Sequence, residues 1–231
     1  MKKFYREATV LDADERFLVT LDGRPILSPG REKLALPTRP LAESVAAEWN
    51  AQGEEVVPQS MPMTRYANTA LDRIRPRREA VVREIAAYAE TDLLCYRTEN
   101  PAELAERQDF TWQPLLDWVS DRFGATLRVT REVAPVAQDP SALEALRAEI
   151  AARDEFSLSG LYSLTTASGS LVIALAVAEG RIGPEEASAA SLLDETYQAE
   201  KWGEEPEAVA RWESIGSEIA AAARFLAVAM S

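Results

Sequence analysis

The sequence contains no histidine, and this absence removes several kinds of catalytic site at once. Ser-His-Asp and Cys-His catalysis, histidine metal ligation and the usual proton shuttle near neutral pH all need an imidazole. A zinc site would need several thiolate or imidazole ligands, and the chain has a single cysteine, Cys95. One cysteine also excludes an internal disulfide and fits a reducing compartment. We therefore predict no metal and no cofactor.

The common phosphate-binding and nucleophile motifs are missing as well. The sequence has no G-x-x-x-x-G-K-[ST], no G-x-G-x-x-G after a strand and no G-x-S-x-G. Cys95 lies in ETDLLCYR between apolar neighbours, which predicts a buried and unreactive thiol. We expect no catalytic residue and no small-molecule substrate.

Positive charge is scarce, since 25 Lys and Arg face 38 Asp and Glu for a net charge of −13. Such a surface repels phosphate backbones and anionic lipid, so neither nucleic acid nor a membrane surface is predicted as a partner. The longest uncharged run, residues 156–178, is crowded with Ser, Thr and Gly, which favours a buried helix over membrane insertion. MKKFYREATVLDADE lacks an apolar signal segment and is not rich in Arg and Ser.

The order of patterns along the chain predicts an α+β protein. Residues 4–37 alternate like short strands, with Asp22-Gly23 as a tight-turn signal, and a helix follows Thr38. Prolines interrupt the chain before residue 76, where we place a domain boundary. We predict a small β-rich N-terminal domain, residues 1–75, packed on a larger helical domain, residues 76–231. The predicted helices of the second domain include Leu104–Phe123, Phe156–Ala178, Pro184–Trp202 and Glu207–Met230.

The segment SLLDETYQAEKWGEE, residues 191–205, combines acids with aromatic residues. Helical spacing divides the predicted helix into two faces. The core face is assigned to Ala189, Leu192, Leu193 and Thr196. The other face is a polar ridge that ends in an aromatic residue and consists of Ser191, Glu195, Gln198 and Trp202. Two interpretations stay open: Trp202 covers the core while the acids are merely solvated, or the ridge docks a partner protein.

Carboxylate pairs leave a chemical alternative open. A hydrolase of the glycosidase type needs two acids about 5–9.5 Å apart in a cleft, and the candidates are Asp92, Asp117, Asp194 and Glu195. An acidic adaptor for some other basic protein is a further alternative. Trp49, by contrast, shares a helix face with apolar residues and is predicted to be a structural anchor.

Several segments resemble the assembly chaperones of the F1-ATPase alpha subunit, the ATP-twelve family. They follow one another in order over most of the chain: LDGRPILSP at 21–29, LALPTRPLAESVAAEWNAQGE at 34–54, MPMTRYANTALD at 61–72, ETDLLCYR at 90–97, WQPLLDW at 112–118 and LLDETYQAEKWGEEPEA at 192–208.

The resemblance implies a chaperone and not an enzyme. Such a protein binds the free alpha subunit of ATP synthase and covers its beta-contacting surface until the alternating ring forms. By motif, the family's functionally important acid falls on Glu195 and less on Asp194, and a tryptophan needed for folding or function falls on Trp49. Asn50 stands where an Asp is common. Mitochondrial members carry a presequence that is absent here, so we expect a cytoplasmic bacterial protein with mitochondrial relatives in the matrix.

Overall fold

The structure, a computed structural model, describes residues 2–132 and 134–231. These residues form two compact units. The first comprises the described residues up to Arg78 together with Asp154–Gly160 and Arg224–Ser231. The second comprises Leu161–Ala223 and the described part of Glu79–Arg153. The boundary at residue 75 stays a prediction, and each unit is described by itself.

A small antiparallel sheet forms the first part of unit 1. Its strands are β1 (Ala8–Ala13), β2 (Arg16–Leu21), β3 (Arg24–Pro25) and β4 (Ala35–Leu36), and β2 pairs with each of the other three. The predicted tight turn joins β2 to β3. Asp22 and Gly23 both have positive φ, at 48° and 80°, as a two-residue hairpin turn that follows the sheet twist requires.

Helix α1 (Arg39–Asn50) packs against this sheet and is fixed at both ends. The Thr38 hydroxyl accepts the N–H of Leu41 and so caps the first turn. At the other end, the Asn50 side chain accepts the N–H of Ala8 and donates to its carbonyl, both at 2.8 Å. The Asn50 amide thereby pairs both backbone groups of Ala8 at the outer edge of β1, since it offers an acceptor and a donor together.

Unit 1 is completed by α2 (Pro62–Thr69) and by parts of two later helices, α6 (Glu155–Ser168) and α10 (Pro206–Ala229). A Cβ placed on Gly160 would lie 2.6 Å from the Leu226 Cγ atom, so α6 and α10 approach closely there. The absence of a side chain at Gly160 therefore allows the two helices to pack closely.

Unit 2 is helical. It contains most of α3 (Arg78–Ala87), then α4 (Ala102–Phe123), α5 (Pro140–Ala151), the rest of α6, α7 (Leu171–Ala178), α8 (Pro184–Ser191), α9 (Leu193–Trp202) and most of α10. Trp112, Leu115, Leu116 and Val119 of α4 are buried, as their spacing predicts. The α+β class with an N-terminal β part is confirmed.

Two predicted helices are each divided in the structure. The one predicted over residues 156–178 ends at Ser168. Gly169 then takes a left-handed conformation, with φ of 69°, and Ser170 accepts the N–H of Ile173 as the cap of α7. Gly169 and Ser170 therefore form a turn and a helix cap within the uncharged run.

The second division separates α8 from α9 at Leu192, within the helix predicted over Pro184–Trp202. The indole N–H of Trp112 donates to the Ala190 carbonyl at 2.9 Å. In a continuous helix that carbonyl would accept from the residue four positions later. The hydrogen bond from Trp112 of α4 therefore accompanies the helix break at Leu192, which the local sequence does not predict.

Candidate functional site

Asp194 is the inward-facing acid of α9. Its Oδ1 atom accepts from the side chain of Gln108 on α4 at 2.7 Å. Gln108 is fully enclosed, and its own carbonyl oxygen accepts the N–H of Thr98 at 2.8 Å. Burial raises the pKa of Asp194, the Gln108 bond opposes this, and the charge of Glu195 adds to the increase. Asp194 thus helps to hold α9 on α4.

Glu195, the next residue, faces outward. Its side chain retains 40% of its exposure, and its Oε1 atom lies 3.3 Å from the guanidinium of Arg211 on α10. Arg211 is 60% exposed. An exposed pair of this kind contributes about 0–1 kcal/mol, since water competes for both charges. The Glu195 carboxylate can therefore exchange its partner at little cost.

Trp202 ends α9, and 79% of its surface is exposed to water. Gln198, one turn earlier, is exposed as well. Gly203 follows with a φ of 97°, so the chain turns away directly after the indole. The interpretation in which Trp202 covers the core is wrong, because an indole with this exposure buries little apolar area.

Salt bridges tie the flank of α9 to α4. Arg107 contacts both Glu103 and Glu200, and Lys201 reaches the other oxygen of Glu103 at 2.7 Å. The hydrogen bond from Lys201 is the first of the contacts that hold the pKa of Glu103 below its ordinary value. The buried ring of Tyr197 lies under both cations, 5.1 Å from the Arg107 guanidinium and 5.2 Å from the Lys201 ammonium.

Two assignments of the predicted helix faces are wrong. Ser191, placed on the ridge, is buried, while Ala189, placed in the core, is exposed. Both errors arise from the break at Leu192, because the turn there ends the regular 100° advance of successive side chains. Tyr197 was missed as a core residue, although its position four residues after Leu193 carried that signal.

Asp92, another acid considered for catalysis, is completely buried. Its carboxylate accepts from the Ser170 hydroxyl at 2.7 Å and from the N–H groups of Leu94 and Val172 at 3.1 Å. Burial raises its pKa to about 6, against the effect of these donors. Since Val172 lies in the first turn of α7, Asp92 reinforces the cap of that helix and is enclosed away from any substrate.

The four candidate acids do not form a hydrolase site in the described part of the chain. Asp92 is enclosed, whereas Asp117 is exposed on α4 and accepts from Gln113. Asp194 and Glu195 are neighbours on α9, but one is bound inward and the other points to solvent. No group of three or more His, Cys, Asp or Glu suited to a metal ion occurs among the described residues.

Trp49 lies in unit 1, away from the acids of α9 in sequence. Its ring meets that of Tyr5 edge to face at 5.5 Å, and the Tyr5 hydroxyl donates to the Trp49 carbonyl at 2.7 Å. The indole lines a concavity of about 450 Å³ with Phe4 and Ile26. Its buried N–H has no hydrogen-bond partner among the described residues. Cys95 is buried, as predicted, and burial raises its pKa to about 12.

Solved structures match the fold over its full length. Atp12 from Paracoccus denitrificans is 40% identical and superimposes with a TM-score of 0.95, covering 99% of this chain and 98% of that one. An Asp-to-Lys mutant of P. denitrificans Atp12p matches at 40% identity with a TM-score of 0.96, over 99% and 97%. A protein of Agrobacterium tumefaciens described as a candidate chaperone matches at 37% and 0.93, over 100% and 86%.

Sequence comparisons agree with these matches. The mitochondrial protein atp12 of Schizosaccharomyces pombe is 23% identical over 214 residues, which are 87% of this chain and 74% of that protein. The profile of the ATP12 chaperone protein matches residues 2–120. Fold and relatives together define a chaperone, which agrees with the prediction that the protein is not an enzyme. The chain belongs to the ATP12 chaperone family, and the resemblance drawn from its motifs is confirmed.

Proposed function

We propose that the protein is an assembly chaperone of ATP synthase that binds the free alpha subunit of the F1 sector. In this role it shields the beta-contacting surface of that subunit until the alternating ring forms. The family membership supports the class of function. The observation that carries the proposal of a protein partner is the outer surface of α9, where an exposed indole follows an exposed carboxylate on one helix.

We define the α9 ridge as Glu195, Gln198 and Trp202. Tryptophan supplies a large share of binding energy in many interfaces, because its area is apolar and rigid. Glu195 would pair with a basic group of the alpha subunit after releasing Arg211, an exchange that costs little at an exposed site. Asp194 would act indirectly, by holding the ridge on α4 through Gln108.

The partner would supply an apolar surface with an exposed cation. Trp202 would exclude water from the contact and so strengthen the neighbouring charge pair. A stable complex would bury roughly 1,200–2,000 Å² in total, so further residues beyond the ridge must take part. Since the sequence has no nucleotide-binding motif, we propose that the beta subunit displaces the chaperone by competing for the same surface.

Co-expression with the F1 subunits followed by size exclusion tests the proposal. The protein should co-elute with alpha alone. Elution with beta alone, or with neither subunit, would refute it.

The alpha subunit is expected to reside in the bacterial cytoplasm, and we propose the same place for this protein. The described residues contain no helix long and apolar enough to cross a membrane.

Variants of the ridge test its role once capture is established. Glu195→Gln removes the charge without placing a second cation beside Arg211, and Trp202→Ala removes the indole. Both should keep the melting temperature, because the side chains are exposed, and lower the capture of alpha. Glu43→Gln is the matched control, since Glu43 is an exposed acid 3.8 Å from an arginine in unit 1. Capture by both ridge variants equal to that of the control would exclude the ridge.

A further inference from the structure

The outer face of α4 carries an apolar stripe. Phe110 is 85% exposed, the highest value among the exposed large hydrophobic residues described. Pro114 is exposed one turn later, and Trp118 is half-buried another turn on. Residues four apart lie on the same side of a helix, and eight residues rise by about 12 Å. Single exposed apolar residues are common, but a row of three over two turns is not explained by chance exposure.

The stripe also contains a proline inside the helix. Pro114 has no N–H, so it cannot donate to the carbonyl of Phe110, four residues earlier in α4. The Phe110 carbonyl is thus left without its ordinary helical donor, on the same residue whose side chain extends into solvent.

Carboxylates border the stripe. Glu106, Asp117 and Asp121 are all exposed on α4, and none has an ion pair within the described part of the chain. Two cations of α4 lie near the stripe, and both are already paired: Arg107 with Glu103 and Glu200, and Arg122 with Glu179. The charge of this face is therefore negative, in a protein whose net charge is −13. Such a border attracts a cationic surface and repels a second copy of the same face.

We propose that the stripe of Phe110, Pro114 and Trp118 binds a basic amphipathic segment of the client protein. Apolar side chains of that segment cover the two aromatic rings, its Lys or Arg side chains meet the bordering acids, and an Arg donor reaches the Phe110 carbonyl. The inference rests on the proposed function for the identity of the client, the alpha subunit. It adds the stripe as a second contact surface for the client, besides the α9 ridge. A salt bridge between Arg107 and Glu200 joins α4, which carries the stripe, to α9.

Binding of purified alpha subunit to immobilised protein tests the stripe. Phe110→Ala should raise Kd at least tenfold without lowering the melting temperature, as expected for an exposed residue at the centre of an interface. The matched control is Phe4→Ala, which makes the same change at a residue that is 66% exposed in unit 1. The triple variant Glu106→Gln, Asp117→Asn, Asp121→Asn should slow association and flatten its dependence on salt.

The outcomes separate the two proposals. If the wild-type protein does not bind alpha, both the proposed function and this inference are wrong. If the wild type binds and Phe110→Ala binds as tightly as Phe4→Ala, the inference alone is overturned. A photo-crosslinking phenylalanine analogue at position 110 gives an independent readout. A crosslink to a Lys- or Arg-bearing peptide of alpha supports the stripe, whereas a crosslink between two copies of this chain, or none, refutes it.

Discussion

Replacing Asp92 by asparagine should destabilise the protein more at pH 4 than at pH 7. Both oxygens of the wild-type carboxylate face donors: Ser170 and Leu94 at one, Val172 at the other. An asparagine can offer only one oxygen, so its NH₂ group must face a backbone N–H in either orientation. An unpaired buried donor costs about 1–3 kcal/mol, and this part of the loss does not depend on pH.

The pH-dependent part follows from the pKa of Asp92, which burial raises from 3.8 to about 6. The folded chain therefore holds a proton that the unfolded chain has released. The contribution to stability is fully present below the unfolded pKa and is lost as the pH rises through about 6. One pKa unit corresponds to about 1.4 kcal/mol, so the whole effect is about 3 kcal/mol. Between pH 4 and pH 7 it amounts to about 2 kcal/mol, because the unfolded acid is already half ionised at pH 4.

Urea unfolding of both proteins at the two pH values measures this difference. The free energy lost on substitution should be about 2 kcal/mol larger at pH 4, where the wild type keeps most of the contribution from Asp92. The comparison between pH values cancels the other titrating acids, which both proteins share. An equal loss at both pH values would show that the pKa of Asp92 is ordinary. A larger loss at pH 7 would show that the three donors outweigh burial.

Two further substitutions test contacts in unit 1. Asn50→Asp should lower the free energy of unfolding by about 1 kcal/mol at pH 7, because a carboxylate cannot donate to the Ala8 carbonyl. Urea unfolding should show partial recovery of stability at pH 4, where a protonated acid can donate. No recovery at pH 4 would contradict this explanation. Gly160→Ala should cost about 1–3 kcal/mol, since its Cβ would lie 2.6 Å from Leu226. Gly53→Ala, with nothing within 4 Å of the new Cβ, is its control in thermal unfolding, and equal melting temperatures would refute the close contact.

Some local features of the fold were predictable from the sequence, whereas two helix breaks were not. The hairpin turn at Asp22-Gly23 was predictable because its signal is local: only certain residues adopt positive φ readily. The buried face of α4 was predictable from its spacing for the same reason. The breaks at Gly169 and Leu192 were not, since apolar periodicity continues across both. Each break is accompanied by a bond from a side chain 78 positions away, Asp92 in one case and Trp112 in the other.

The acids of α9 were also only partly predictable from the sequence. Helical spacing placed Glu195 on the outer ridge but assigned Asp194 to neither face. The position of α4 separates them: Gln108 binds Asp194, while Glu195 is left to Arg211 and to solvent. The stripe around Phe110 was not recognised from the sequence either, since an aromatic residue in a helix is more often in the core.

The sequence by itself determined the α+β class, the absence of histidine and the family, because composition and ordered motifs need no coordinates. Only the tertiary structure decided which polar and aromatic side chains remain available to a partner. Burial and hydrogen bonding are set by residues distant in the chain, so Asp92 is enclosed by α7 while Trp202 and Phe110 face water. The exposure of a side chain depends on how secondary-structure elements pack against one another, and local sequence patterns do not specify that packing.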